Sequence, residues 1–312
     1  MSSLIEIQEA YQRIRPFIHY TPVLTNSSIN NLIGSELFFK CENFQKAGSF
    51  KIRGATNAVL QLSQEEINRG IVTASSGNHG AALAMAVSKR GGITKVVMPN
   101  NTPNIKVQNV KRNGGRIIWC EPNQASRDLV LKEILEETGS ILIHPYNDNQ
   151  IIVGQGTAAM ELLNDYPDLD VIITPVSGGG LLGGTLSCVK ELNPNILVYG
   201  AEPKEADDAY RSLYSGKIES NITTDTICDG LRAQIGTITF PIIKEKVDGI
   251  ITVKENAIIE AMRMVWERLK IVVEPSCSIT LAALFNRNEN LQNKKVGLIM
   301  SGGNVDLNNL PW

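Results

Sequence analysis

The sequence predicts an α/β protein: open, twisted, mostly parallel sheets flanked by helices. Short apolar, β-branched runs alternate with helix-like patterns along nearly the whole chain. These runs lack the in–out alternation of a half-solvated strand, so both faces are covered, as in a parallel sheet with helices on either side. Many of them end in Gly, Ser or Asn turns, and in such sheets ligands bind beyond the carboxyl ends of the strands. No repeat, low-complexity segment or Pro-rich tether is present, so a second domain must be interleaved with the first.

The elements follow in order. The opening MSSLIEIQEAYQRIRPF sets Glu6 and Glu9 among apolar positions, which makes an amphipathic helix and not an export signal. Strands are expected at GIVTAS (70–75), TKVVMP (94–99) and GRIIWC (115–120), with helices over 79–90, 104–113 and 126–138. A helix over 156–165 leads to the strand DVIITPV (170–176), and a helix over 181–192 to ILVYGAE (196–202). A helix over 256–269 and the strand KVGLIMS (295–301) complete the pattern.

Composition narrows the function classes. The 312 residues suffice for one large domain or two ordinary ones, and 43% hydrophobic with 20% charged residues describes a soluble globular protein. Net charge is 30 − 32 = −2 without a long run of one sign, which argues against a nucleic-acid surface. No apolar run approaches the roughly 20 residues needed to span a bilayer. Cys41, Cys120, Cys188, Cys228 and Cys277 form no CxxC pair and read as reduced thiols of a cytoplasmic protein.

Five stretches carry chemistry. In KAGSFKIRGA (46–55), Lys51 stands between Phe50 and Ile52, where a lysine either snorkels to water or is kept greasy for a purpose. SSGNHG (75–80) joins a strand to a helix, and its glycines let an anion approach backbone N–H groups, a carboxylate better than a diphosphate. PVSGGGLLGG (175–184) puts Gly178, Gly179 and Gly180 before another helix, a cradle suited to a cofactor's phosphate. AEPKEADDAY (201–210) offers Glu202 and Asp208 as hard oxygen ligands for Mg²⁺ or Ca²⁺. MSGGNVDL (300–307) ends a strand on Ser301, whose hydroxyl can face a ligand. GQGTAA (154–159) matches GxGxxA but lacks the acidic residue of a dinucleotide site, so tight helix–strand packing explains it better. His19, His79 and His144 are too scattered for a histidine metal site, and only His79 is placed at the pocket.

Together these motifs resemble the fold-type II pyridoxal-phosphate enzymes, the tryptophan synthase β-like fold, in the serine/threonine dehydratase and serine racemase branch. TPVL (21–24), FFKCENFQ (38–45), GSFKIRGA, SSGNHG, GQGT, SGGGL, AEPKEADD, VEPS (273–276) and SGGNVDL carry the resemblance in order. HPYND (144–148), ADDAYRS (206–212) and the final LPW are similar to 3-hydroxyaspartate dehydratases of that branch.

The resemblance implies that Lys51 holds pyridoxal 5′-phosphate covalently and takes the substrate's α-proton once released. Phe50 would pack on the cofactor ring, Asn78 would bond its phenolic oxygen, Gly178–Gly180 would hold the phosphate and Ser301 would meet the pyridine nitrogen. Ser177, where the family has a further glycine, would add a hydroxyl near the phosphate. Ser75, Ser76, Asn78 and His79 would bind the substrate carboxylate, with Ser76 also the acid/base opposite Lys51 if the enzyme racemises. Glu202, the Ala206 carbonyl and Asp208 match the family's ligands for Mg²⁺ (or Ca²⁺ or Mn²⁺). Arg232 is a candidate partner for a second substrate carboxylate.

A large cofactor domain would combine 1–63 with 146–312, and 64–145 would form a small mobile domain. The expected protein is a cytoplasmic homodimer acting on a small-molecule amino acid, with no nucleic-acid or membrane partner. The reaction expected is dehydration of L-serine, L-threonine or 3-hydroxyaspartate to a 2-oxo acid and ammonia. The alternatives are serine racemisation and a non-catalytic, cofactor-carrying sensor.

Overall fold

The structure, a computed structural model, describes residues 3–75, 77–285 and 291–312. Ten strands form two sheets. The larger has the order β1 (Val23–Leu24), β2 (Glu36–Cys41), β10 (Lys295–Met300), β7 (Val171–Pro175), β8 (Leu197–Pro203), β9 (Gly249–Val253). The smaller has the order β5 (Gly115–Cys120), β4 (Thr94–Pro99), β3 (Ile71–Ala74), β6 (Ile141–Leu142). Every pairing is parallel except β1 on β2. The interleaving is literal: all strands between 71 and 142 belong to the smaller sheet, and those on either side in sequence belong to the larger.

The helices are α1 (Leu4–Ile14), α2 (Ser27–Ile33), α3 (Lys51–Leu60), α4 (Gln64–Arg69), α5 (Asn78–Ser88), α6 (Asn104–Arg112) and α7 (Gln124–Thr138). They continue as α8 (Asn149–Asp165), α9 (Gly180–Leu192), α10 (Asp208–Ser215), α11 (Thr239–Lys246), α12 (Glu255–Met264) and α13 (Pro275–Ala282). Period-2 alternation places Phe38, Ile172, Val198 and Ile299 in one core with α8 and α9 residues. The intervening Leu37, Phe39, Val171, Ile173, Leu298 and Met300 enter a second core with α12 and α13 residues. Each such fully buried branched side chain contributes about 1.5–3 kcal/mol of transfer free energy. A third core sets Ile52, Ala55 and Val59 of α3 against Ala82, Leu83 and Ala86 of α5, and so joins the two sheets.

One expectation changes. GQGTAA lies inside α8, which begins at Asn149 behind an Asp148 cap accepting Gln150 N–H at 2.7 Å and Ile151 N–H at 3.2 Å. Its glycines serve helix–helix contact, not helix–strand contact. A Cβ on Gly154 would come within 2.6 Å of Gly54 Cα in α3, and one on Gly156 within 2.7 Å of the Gly184 carbonyl in α9.

Candidate active site

α3 opens on Lys51, held at the carboxyl edge of the larger sheet. Phe50 N–H donates to Ser301 O at 3.0 Å, and Gly303 N–H donates to Gly48 O at 3.0 Å, so the residues after β10 are stitched to the segment before α3. Behind the helix, Arg53 is anchored by a fully buried ion network. Its guanidinium meets Glu42 through Nε at 2.7 Å and Nη2 at 2.7 Å, and Glu161 through Nη1 at 2.8 Å and Nη2 at 2.7 Å. Lys40 completes the set, 2.7 Å from Glu161 and 2.7 Å from the Thr21 carbonyl. Two cations face two carboxylates, and the register of α3 follows from their geometry.

Lys51 Nζ donates to Pro145 O at 2.9 Å and lies 5.1 Å from the Phe50 ring centroid. Burial pushes its ammonium down to about 8, with Glu274 opposing. His79 and His144 stay neutral: burial, then the Lys51 charge, holds His79 well below its usual range and His144 at about 4. Neither His79 ring nitrogen has a partner among the described residues.

Asn78 is held at both ends of its amide. It donates to Glu274 Oε1 at 2.8 Å and accepts from Asn304 Nδ2 at 2.8 Å. Glu274 is pushed up to about 8 by burial and then by Asp229, against Lys106 and Asn78. Lys106 of α6 ion-pairs with Asp229 in the loop before residue 235, a bridge between the two sheets' surroundings. Ser75 is spent locally: its hydroxyl accepts Gly77 N–H at 3.3 Å and Gly80 N–H at 3.2 Å, and its own N–H donates to Val97 O at 3.1 Å. Ser76 lies outside the described residues.

The triglycine loop adjoins this cluster through Tyr146, the residue after Pro145. A Cβ on Gly178 would collide with the Tyr146 ring, and one on Gly179 (φ +90°) would come within 2.7 Å of Thr239 Oγ1. Only glycine fits, and the free N–H groups of the first turn of α9 point out of the loop as an anion site. The Ser177 hydroxyl, which opens this loop, donates to Ala233 O at 2.9 Å and accepts Ala233 N–H at 3.0 Å. Ser301, at the end of β10, is 3% exposed. A buried lysine, an aromatic face, a glycine cradle at a helix start and a buried serine together fit pyridoxal phosphate.

Glu202, at the end of β8, caps α10: its carboxylate accepts Ala209 N–H at 3.0 Å and Tyr210 N–H at 2.8 Å. Asp208 Oδ2 accepts Ile235 N–H at 2.7 Å, while Oδ1 is buried without a partner. Burial and the Asp208 charge hold Glu202 well above its usual range, and burial raises Asp208 to about 6. Ala206, between them, is 1% exposed. No cluster of three or more His, Cys, Asp or Glu exists among the described residues, but two buried carboxylates and a loop carbonyl fit a hard divalent cation. Arg232 is solvent-exposed and donates to Thr226 O at 2.6 Å.

Sequence reading placed Lys51, the cradles and the acidic pair. It missed Glu274, Asn304, Tyr146 and Lys106–Asp229, whose letters stood in quoted motifs or beside them but whose pairing depends on residues up to 226 positions apart.

The comparisons agree with the geometry. Residues 14–302 match the family described as pyridoxal-phosphate dependent enzyme. A serine racemase of Arabidopsis thaliana is 49% identical over 99% of this chain and 95% of its own. A beta-hydroxyaspartate dehydratase of Paracoccus denitrificans is 44% identical over 97% of this chain and 96% of its own. The solved structure of maize serine racemase superposes with a TM-score of 0.96 at 48% identity, covering 98% of this chain and 95% of its own. With the family match spanning residues 14–302 and relatives 44% and 49% identical over nearly the whole chain, the chain belongs to the pyridoxal-phosphate dependent enzymes.

Proposed function

We propose that this enzyme removes the α-proton of a β-hydroxy amino acid and expels the β-hydroxyl, giving a 2-oxo acid and ammonia. The observation that carries the reading is Lys51, a lysine whose amine is shifted to about 8 beside a glycine cradle. When bound, pyridoxal phosphate supplies an electron sink that acidifies the amino acid's α-carbon. Lys51 would hold the cofactor, Phe50 would pack on its ring, Gly178–Gly180 would bind its phosphate, and Ser301 would meet its ring nitrogen.

In this reading the neutral Lys51 amine accepts the α-proton. The 75–80 loop, with Ser76, Asn78 and His79, receives the substrate carboxylate on backbone amides; neutral His79 and His144 leave Lys51 the local base. The α-proton and β-hydroxyl depart as water, and hydrolysis of the released enamine gives the 2-oxo acid and ammonia. Closure of 64–145 over the larger unit, with Asn78 meeting Glu274 and Lys106 meeting Asp229, excludes water. Glu202, the Ala206 carbonyl and Asp208 would hold Mg²⁺ or a similar cation. Asp208 Oδ2 accepts Ile235 N–H, and the next residue, Gly236, donates its N–H to Gly178 O at 3.2 Å, so the acidic pair is tied to the triglycine loop.

A second reading, serine racemisation, is favoured by the 49% identity to a serine racemase. Incubation with L-serine, following D-serine and pyruvate together, decides between them. Pyruvate formation abolished in Lys51→Ala supports dehydration; rapid D-serine with negligible pyruvate replaces it by racemisation.

A further inference from the structure

A cavity of about 290 Å³ runs along α3, between α3 and α5. Phe17, Ile52, Thr56, Val59 and Ala86 line it. Its size is close to the lower end of small-molecule sites, roughly 300–1,000 Å³. Thr56, 5% exposed, brings a hydroxyl to this lining.

Two cations, Lys89 and Arg90, complete the lining. Neither forms an ion pair among the described residues. Arg90 Nη1 donates to Val59 O at 2.8 Å and Leu62 O at 2.6 Å, which fixes the guanidinium at the end of α3. Its Nε and Nη2 have no described partner. An apolar chamber with one hydroxyl inside and two uncompensated cations at its edge is complementary to an apolar body with an anionic head.

We propose that this cavity is a binding site for a small amphiphilic carboxylate, its chain between α3 and α5 and its head on Lys89 and Arg90. An occupant touches both helices that present the catalytic parts. Ile52 follows Lys51 at the start of α3, and Ala86 belongs to α5, which the 75–80 loop opens. Occupancy therefore biases how those two helices sit together, and couples to turnover. The coupling rests on the reaction proposed above; the binding does not.

The test is calorimetric titration of the cofactor-loaded enzyme with hexanoate, with 1-hexanol and hexylammonium as controls. Hexanoate binding one site per chain, at least ~10-fold tighter than either control, is the expected result. Lys89→Gln and Ala86→Phe each weaken it ~10-fold or more, and in Lys89→Gln turnover without hexanoate stays within ~2-fold of wild type. Equal affinity for hexylammonium, or hexanoate affinity unchanged in both variants, overturns the site. If Ala86→Phe does not fold, the exposed Lys89→Gln decides alone. Saturating hexanoate is expected to shift the KM for the amino acid by ~5-fold or more in wild type and not in Lys89→Gln. An unchanged wild-type KM with binding intact overturns the coupling.

Discussion

Two buried charge clusters lie either side of the candidate active site, and they are built on opposite terms. Behind α3, Lys40 and Arg53 face Glu42 and Glu161, all fully buried, with every carboxylate oxygen taken. After β8, Glu202 and Asp208 face each other with no cation, and one Asp208 oxygen is left bare. A neutral, satisfied network fixes a helix. A like-charged pair held in place by backbone amides is strained as it stands, and a divalent ion in the proposed site would relax it. Charge balance, not burial, separates scaffold from ligand site.

The largest break in this comparison comes from Arg53→Met. It leaves two carboxylates buried against Lys40 alone, so denaturant unfolding should show a loss of about 3–5 kcal/mol. Turnover should fall with the folded fraction and with the seating of Lys51. A change under ~1 kcal/mol would mean that the network is not what sets α3.

Removing one charge from the other cluster should have the opposite sign. Asp208→Asn relieves the like-charge pair, so the metal-free protein should gain about 1–3 kcal/mol at neutral pH. Added Mg²⁺ should stabilise wild type, as the proposed cation site requires, and should not stabilise Asp208→Asn. Loss of metal-free stability in Asp208→Asn, measured in the presence of a chelator, would refute the strained-pair account.

The two clusters also show what was legible in the sequence. β7, β8 and β10 were readable because both faces are apolar. β2 was not, since ELFFKC carries Lys40 in its interior, and that charge makes sense only with Glu161 on α8. The start of α8 was hidden likewise: IIVGQG has strand-like and turn-like residues, and its helix is explained by close approach to α3 and α9. Motif letters marked Lys51, the triglycine and the acidic pair, because local spacing builds a cradle or a loop. Glu274 with Asn78 is a contact across 196 residues, and no local pattern encodes it.

The pH dependence sharpens the contrast by a smaller amount. Asp208 titrates at about 6 in the fold against an ordinary 3.8, so the folded state holds the proton longer than the unfolded chain. Stability from this group is full below about 4 and lost as pH rises through about 6. Glu274, raised to about 8, adds a slope of the same sign over a wider range. The difference between wild type and Asp208→Asn, measured with a chelator, should change between about pH 4 and 6 through Asp208 itself, with a further change where Glu202, no longer raised by the Asp208 charge, titrates. Mg²⁺ should flatten it, because the ion requires both carboxylates ionised. A difference independent of pH would place the Asp208 proton elsewhere.

Lys106–Asp229 is the intermediate case: neutral as a pair, but partly exposed, with 14% and 35% of the two side chains open to solvent. It links α6, beside the smaller sheet, to the loop that leads to Ile235 and Gly236. Screening limits such a pair to about 1 kcal/mol, so Lys106→Gln and Asp229→Asn should leave the unfolding midpoint nearly unmoved. Their effect belongs to the cleft. A Cβ on Gly77 would lie 3.9 Å from Lys106 Nζ, which puts this ammonium beside the loop assigned to the substrate carboxylate. KM should rise up to ~5-fold in either variant, the equivalent of about 1 kcal/mol, with kcat changed less. If the pair acts as a latch, the swap Lys106→Asp with Asp229→Lys should recover most of the KM. A swap no better than the single variants would make Lys106 a direct contact of the substrate, since only a latch is indifferent to which side carries the charge.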